Sequence, residues 1–412
     1  MFLDLTPLVI ALVGLVLYTV LAGADFGAGF WQLLAGRGEH ARAVRDHAHH
    51  ANAPVWEANH VWLVLVLTVL WTAYPVFFGS VFSTLAIPLF LAALGIVFRG
   101  LCYALHYATT VPRERRVIDT TFSVSSVLAP FMLGTCVGAI ASGRVPVGNA
   151  AGDPVTSWTG PTPLISGALA VSTGAFLAAV YLAADAHRST ETELADSFRT
   201  RALISAAATG ALALGALAVV YDDAPSLYSG LTTGAGLAAV VISGTSGLAS
   251  AGLVWLRRYP AARAAGAIAV AALLAGWAAA QRPDLLPGLT LQEAAADNAT
   301  MIAVIISISV GAVILFPSLA FLFQLVLSGR LDPGQLGTPS RHVVGPDAPR
   351  PRWAARAALA CFIAGAVLLV FADAGVAHAV GVAAFAAAAI LAFTAVGPDQ
   401  LAAREQPNDP HP

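Results

Sequence analysis

Charge is scarce in this chain, and lysine is missing from it altogether. Only 11% of the 412 residues are charged, against 58% hydrophobic, and mean hydropathy is +0.77. So much apolar surface cannot be hidden in a water-soluble core, and the chain reads as a polytopic membrane protein. A net charge of -2 offers no basic face for phosphates, which argues against nucleic acid as a partner. Cysteine is also rare: Cys102, Cys136 and Cys361 stand singly in apolar stretches. Without paired spacing they suggest neither a disulfide framework nor a cysteine-based metal site, and they read as small core residues. The opening Met1-Phe2-Leu3-Asp4 lacks a basic n-region, and the apolar run behind it is too long for a signal sequence. It reads as a retained span. The alternation and turn signals of strands are missing too, and an open sheet in lipid would leave its edges unpaired.

What is present is a series of apolar runs, each long enough to cross about 30 Å of hydrocarbon as a helix. They fall near 8–31, 55–78, 81–107, 119–142, 162–186, 201–221, 233–256, 264–281, 299–328, 354–372 and 376–396. The expected fold is therefore an all-α transmembrane bundle. The last two runs form a short alanine-rich hairpin hinged near Asp373 and Gly375. Residues 331–353 read as a linker rich in proline, glycine and arginine, and 398–412 as a polar disordered tail. An echo between Leu21-Ala22-Gly23-Ala24-Asp25 and Leu182-Ala183-Ala184-Asp185 hints at a parallel duplication, although alanine-rich helices produce such echoes easily.

All 21 basic residues are arginine, and eighteen of them lie in alternate loops and the tail. Arg37, Arg42 and Arg45 follow the first span, Arg113, Arg115 and Arg116 the third, and Arg188, Arg199 and Arg201 the fifth. Arg257, Arg258 and Arg263 follow the seventh, five more follow the ninth, and Arg404 lies in the tail. The intervening turns hold only Arg144 and Arg282. Cytoplasmic loops retain arginine and lysine, so the N-terminus is expected outside and the arginine-rich loops and C-terminal tail in the cytoplasm.

Arg99 is the remaining arginine, and it lies within a span. Ionisable residues inside a membrane are costly enough that they normally face a protein interior or a water path. Asp25, Glu57 and Asp119 lie near the same end of their spans as Arg99, so antiparallel packing brings three carboxylates and one guanidinium to one layer. Arg99 would hold a nearby carboxylate ionised, and an unpaired acid in such a place can carry protons. Glu57 and His60 are three residues apart on one helical face, where carboxyl and imidazole can exchange protons. The same residues also suit a purely structural polar clamp between helices. Trp56 and Trp62 flank them as interface anchors or packing residues.

His60, His106, His187 and His378 lie in or near spans, yet no two make the opposed pair at matching depth that a bis-imidazole haem site needs. His40, His47, His49 and His50 crowd the first cytoplasmic loop, which also carries three arginines and reads as a solvated loop rather than a metal site. Gly23, Gly27 and Gly29, and again Gly134 and Gly138, have the spacing of close helix approach.

The order of signals resembles subunit II of the cytochrome bd quinol oxidases. It is carried by Tyr18, Gly23 and Asp25-Phe26-Gly27-Ala28-Gly29, then Pro54-Val55-Trp56-Glu57-Ala58-Asn59-His60-Val61-Trp62, then Phe98-Arg99-Gly100. It continues through Asp119, Ser125, Pro130, Gly134 and Gly138, Glu193-Leu194 with Arg199 and Arg201, Asn298-Ala299-Thr300, Pro317 and Gly329-Arg330. The resemblance thus covers residues 1–330, and the hairpin from 354 lies outside it. Glu57-Ala58 stands where aspartate-glycine is usual, and His60 where glutamine or glutamate is usual.

The resemblance implies two four-helix bundles plus one peripheral helix, paired as a heterodimer with a haem-bearing subunit I. Haems b and d and the quinol-oxidising loop would belong to that partner, in a bacterial cell membrane. This chain would bind no metal, would support assembly, and would line a cytoplasmic proton route through Glu57, Asp25, His60 and Asp119, with Arg99 ordering them. Trp56, Asn59 and Trp62 would serve packing. A structural quinone and a small single-helix subunit are further features such oxidases allow. The rival readings are a proton-coupled secondary transporter binding its substrate or proton at Asp25 and Glu57, and a purely structural scaffold.

Overall fold

The computed structural model describes residues 2–36, 38–52, 56–108, 112–327 and 352–371, with isolated positions between 380 and 391. The chain divides into two units, Met1–Phe316 and Pro317–Pro412. In chain order the helices of the first unit begin with α1 (Phe2–Leu33), α2 (Glu39–Asn52), α3 (Trp56–Ala73), α4 (Pro75–Thr84), α5 (Ala86–Ala108) and α6 (Pro112–Ala141). Then come α7 (Pro161–Arg188), α8 (Thr192–Asp223), α9 (Pro225–Thr232), α10 (Gly234–Trp255) and α11 (Tyr259–Gln281). A hairpin of β1 (Asp284–Leu286) and β2 (Leu289–Thr290), the turn α12 (Leu291–Ala294) and α13 (Asn298–Leu327) complete it, α13 running on into the second unit.

Among the described residues eight helices are long and apolar enough to cross a membrane: α1, α5, α6, α7, α8, α10, α11 and α13. The bent pair α3–α4 makes a ninth if counted as one span. The all-α membrane bundle expected from the apolar runs is thus present. At 1.5 Å per residue the 32 residues of α1 reach about 48 Å, so this helix outruns the hydrocarbon at its ends.

The apolar run at 55–78 hides a sharp break. α3 and α4 meet at 118°, with Tyr74 between them at φ −136° and ψ 64° and Pro75 opening α4. Proline cannot donate into the preceding turn and pushes the residue before it out of the helical region. The same device recurs between α8 and α9, where Ala224 has φ −143° and ψ 67° ahead of Pro225. The order long, long, short, long, long therefore occurs twice, as α1–α3–α4–α5–α6 and α7–α8–α9–α10–α11. At the first elbow the backbone groups freed by the break find new partners: the Ala73 carbonyl accepts from the amide of Ala296, at 2.8 Å. The Tyr74 hydroxyl donates to the Asp4 carbonyl at 2.5 Å.

Two expectations are corrected. The histidine-rich segment after α1 is a helix rather than a solvated loop, because its apolar residues share one face: Ala41, Val44 and Ala48 are buried against the bundle while Arg42 is exposed. Residues 284–290 form an antiparallel hairpin, turned at Pro287-Gly288 where Gly288 has φ +75°, outside the bundle's long helices.

Two large buried clusters dominate the first unit, beside smaller ones. One joins the later halves of α1 and α7 to α2, α8 and α11; its centre is the run from Ala175 to Ala186 on α7. The other gathers Ala11, Val69, Tyr74, Leu85, Ile140, Leu286 and Met301 around the first elbow and the hairpin. α1 and α7 meet backbone to backbone: a Cβ on Gly27 would run into the Gly174 carbonyl. On the elbow side, Arg144 pairs with Asp223 at 2.6 Å, and the other Asp223 oxygen accepts from the Thr162 amide at 3.2 Å, which ties the start of α7 to the end of α8.

In the second unit, residues 352–371 form α14 (Arg352–Phe371). The linker and tail expected at 331–353 and 398–412 fall almost entirely outside the described residues, as does most of the second half of the expected hairpin.

Candidate functional site

The charged residues buried inside the spans meet where α1, α5 and α6 cross. Asp25 and Arg99 are each 3% exposed. The Arg99 Nη2 donates to Asp25 Oδ1 at 2.6 Å, and again to the Asp25 carbonyl at 3.3 Å. Its Nε donates to Ser126 Oγ at 3.0 Å, and that hydroxyl in turn donates to the Phe122 carbonyl at 2.7 Å. The guanidinium lies between two aromatic rings, with its carbon 5.0 Å from the centre of Phe26 and 4.7 Å from that of Phe122. Hydrogen bonds in the guanidinium plane and rings above it are what arginine, unlike lysine, can satisfy together. Gly29 makes this possible, since a Cβ there would strike Ser126.

A buried ion pair of this kind recovers the cost of desolvation only when its remaining hydrogen-bonding capacity is met. Here one corner is left open. Asp25 Oδ2 has no hydrogen-bond partner among the described residues. Asp25 also lines a cavity of about 170 Å³, together with Leu21 and Ala24 of α1, Asn59 of α3, Tyr181 and Asp185 of α7 and Arg263 of α11. The deeply buried acid thus has one oxygen fixed by Arg99, and its residue belongs to the wall of a cavity.

The other expected site residues are distributed around this centre. His60 packs edge-on to Tyr18 and Phe26, with ring centres 6.1 and 6.3 Å apart, and so shares the Phe26 ring with Arg99. Asn59 is buried at 3% exposure. Trp62 packs against the small apolar cluster of Tyr18, Ala22, Phe26 and Ala129. Asp119 is half-buried on α6, within electrostatic reach of Cys102 on α5. Trp56 and Glu57 open α3, and their side chains lie outside the described residues.

Sequence reasoning did not single out Ser126, Phe122, Tyr181 or Arg263 as parts of the site. Serine and phenylalanine are ordinary in a span, and Arg263 reads as a loop charge until α11 is seen to begin at Tyr259. From there Arg263 reaches back to donate to the Tyr181 carbonyl at 2.8 Å.

A family model described as "Cytochrome bd terminal oxidase subunit II" matches residues 3–326. The chain belongs to that family. Among curated members, a proposed cytochrome bd menaquinol oxidase subunit II of Bacillus subtilis is 23% identical over 217 residues, covering 52% of this chain and 62% of that protein. The cytochrome bd-I ubiquinol oxidase subunit 2 of Escherichia coli is 26% identical over 134 residues, 32% of this chain and 35% of that one. The matched stretches thus span less than two thirds of these subunit II proteins. Among solved structures, a chain of the bd oxidase from Geobacillus thermodenitrificans shares the fold with TM-score 0.63 at 23% identity, over 79% of this chain and 99% of that one. The family match ends at residue 326, so α14 lies beyond the part of the chain it covers.

Proposed function

We propose that this chain is the non-haem subunit of a cytochrome bd-type terminal oxidase, which takes electrons from quinol and reduces dioxygen to water. The observation that carries this reading is the family match across almost the whole first unit. The chain pairs with a haem-bearing subunit I, and the haems b and d and the oxygen chemistry belong to that partner. Support comes from three of the described histidines, whose side chains are engaged within the protein. His60 packs edge-on against two aromatic rings, His47 makes a hydrogen bond with the Leu182 carbonyl at 3.2 Å, and His187 packs at a tilt against Tyr259, with ring centres 5.5 Å apart.

This chain's own part is to stabilise the assembly and to conduct protons from the cytoplasm toward the partner. The route passes Glu57 and Asp25, with His60 and Asp119 beside it and Arg99 as the residue that fixes Asp25. Support for Asp25 is its split environment, one oxygen held by Arg99 and the other without a protein donor among the described residues. A carboxylate so placed is held in a defined position yet retains a site for a proton. The alternating arginines support an orientation with the N-terminus outside and the arginine-rich loops in the cytoplasm.

Purification decides the first part. A red-green complex retaining a second, larger chain is expected; a colourless single polypeptide would overturn the reading. For the route, Glu57→Gln should slow quinol-driven oxygen consumption at least about tenfold, equivalent to about 1.4 kcal/mol on the limiting barrier, with haem content unchanged. Unaltered turnover would remove Glu57 from the path. His60→Gln should have the smaller effect.

A further inference from the structure

We propose that a groove at the bend between α8 and α9 is a lipid site, taking the headgroup amine and one acyl chain of a phosphatidylethanolamine-type phospholipid. It lies apart from the buried charges around Asp25 and uses none of them. Leu214, Leu217, Ala218, Tyr221 and Asp222 line it, and their spacing puts all five on one face of α8. The break at Ala224 and Pro225 ends α8 and lets α9 bring Tyr228 back against that face. The groove so formed measures about 460 Å³.

Its polar end sits at headgroup depth. From Ala202 to Tyr221 α8 carries no charge, and that stretch makes about 30 Å of helix, the thickness of the hydrocarbon. Tyr221 and Asp222 therefore stand at the membrane boundary, while Ala218, Leu217 and Leu214 lead from them toward its middle. Asp222 is exposed and makes no ion pair or hydrogen bond among the described residues, whereas the adjacent Asp223 is paired with Arg144. The rings of Tyr221 and Tyr228 meet edge-on, with centres 5.1 Å apart at 82°, an arrangement that leaves a ring face open. A free carboxylate beside aromatic faces is the chemistry that recognises an ammonium group.

The rest of the lining selects a lipid among amines. Leu214 is 72% exposed and Tyr221 60%, so the groove opens sideways along the apolar face of the helix. A small soluble amine would use the acid and the rings and leave the leucines idle. A phospholipid uses both ends, because amine at the boundary and chain beneath it is the order of its own parts. Asp222 opposes a lipid whose headgroup carries only negative charge.

The test reconstitutes the purified protein, with whatever chains accompany it, into vesicles of equal phosphatidylethanolamine and phosphatidylglycerol. A trace of one lipid or the other carries a photoreactive diazirine midway along one chain, and adducts on this protein are mapped by peptide mass spectrometry. Adducts are expected within Leu214–Ala218, and those from phosphatidylethanolamine should exceed those from phosphatidylglycerol at least about fivefold. Asp222→Asn keeps the shape and removes the charge, and should bring the two lipids to parity. Tyr221→Leu, at a second exposed position, should lower the phosphatidylethanolamine yield at least about threefold. No adduct in that segment would mean that a protein helix fills the groove, and overturns the proposal. Equal yields from the two lipids in the unsubstituted protein would mean bulk lipid on an apolar face, and overturn it as well. So would a preference that survives Asp222→Asn. Oxygen consumption enters none of these readings, so failure here leaves the oxidase reading untouched.

Discussion

At Arg99 one side chain joins three helices, and each of its contacts can be removed separately. Arg99→Met leaves Asp25 charged and buried with no counter-ion, a change that costs about 3–5 kcal/mol in comparable settings. The expected result is a clear loss of thermal stability in the purified complex, measured by size-exclusion after heating. Arg99→Lys keeps the charge but not the planar fork between Phe26 and Phe122, so it should fall between the two. Gly29→Ala reaches the same centre from the side, by driving a methyl group into Ser126 and disturbing the Nε hydrogen bond. It should weaken the complex without altering a single charged residue. Asp25 and Arg99 were legible in the sequence because charge in a span is expensive and must be explained. Ser126 and Phe122 were not, because nothing about a serine or a phenylalanine in an apolar run is unusual until its neighbour is known.

Among the elements, the elbows are where local chemistry and hydropathy disagree. An apolar run reports that a segment can be in lipid, not that it is straight, so the run at 55–78 concealed the turn at Tyr74 that Pro75 enforces. Tyr74→Phe removes the hydroxyl bond to the Asp4 carbonyl and should cost about 0.5–1.5 kcal/mol, read as a lower unfolding temperature with spectrum intact. α2 was missed for the opposite reason: its histidines and arginines dominate the composition, while three small apolar residues decide its fate. The turn α12 has a pH-dependent cap. Thr290 and Glu293 exchange hydrogen bonds, the backbone bond from Thr290 being the main cause that holds the Glu293 carboxyl below its ordinary range. A lowered pKa means stabilisation that is present above the unfolded value and lost as pH falls through the folded one. Amide exchange at Leu291–Ala294 should therefore accelerate on acidification below the ordinary carboxylate range and stay level above it.

For the molecule as a whole, the arginine pattern makes a prediction independent of any chemistry. A cysteine placed at Thr156 should react with an impermeant reagent from outside, and one at Thr190 only from the cytoplasmic face. The fold was readable from the spans because lipid admits few alternatives, and helix order follows from connectivity. Depth and facing are not, since they depend on which side chains of α1, α5 and α7 meet. The hydrogen bond from the Ala296 amide to the Ala73 carbonyl adds a constraint of timing. A chain emerging from the ribosome completes its first elbow early but cannot secure it until nearly the last span of the unit has been made. Until then the bend is held only from its own side, by Pro75 and the Tyr74 bond to Asp4, and a product released before Ala296 would carry an unpartnered Ala73 carbonyl, a ready mark for quality-control proteolysis.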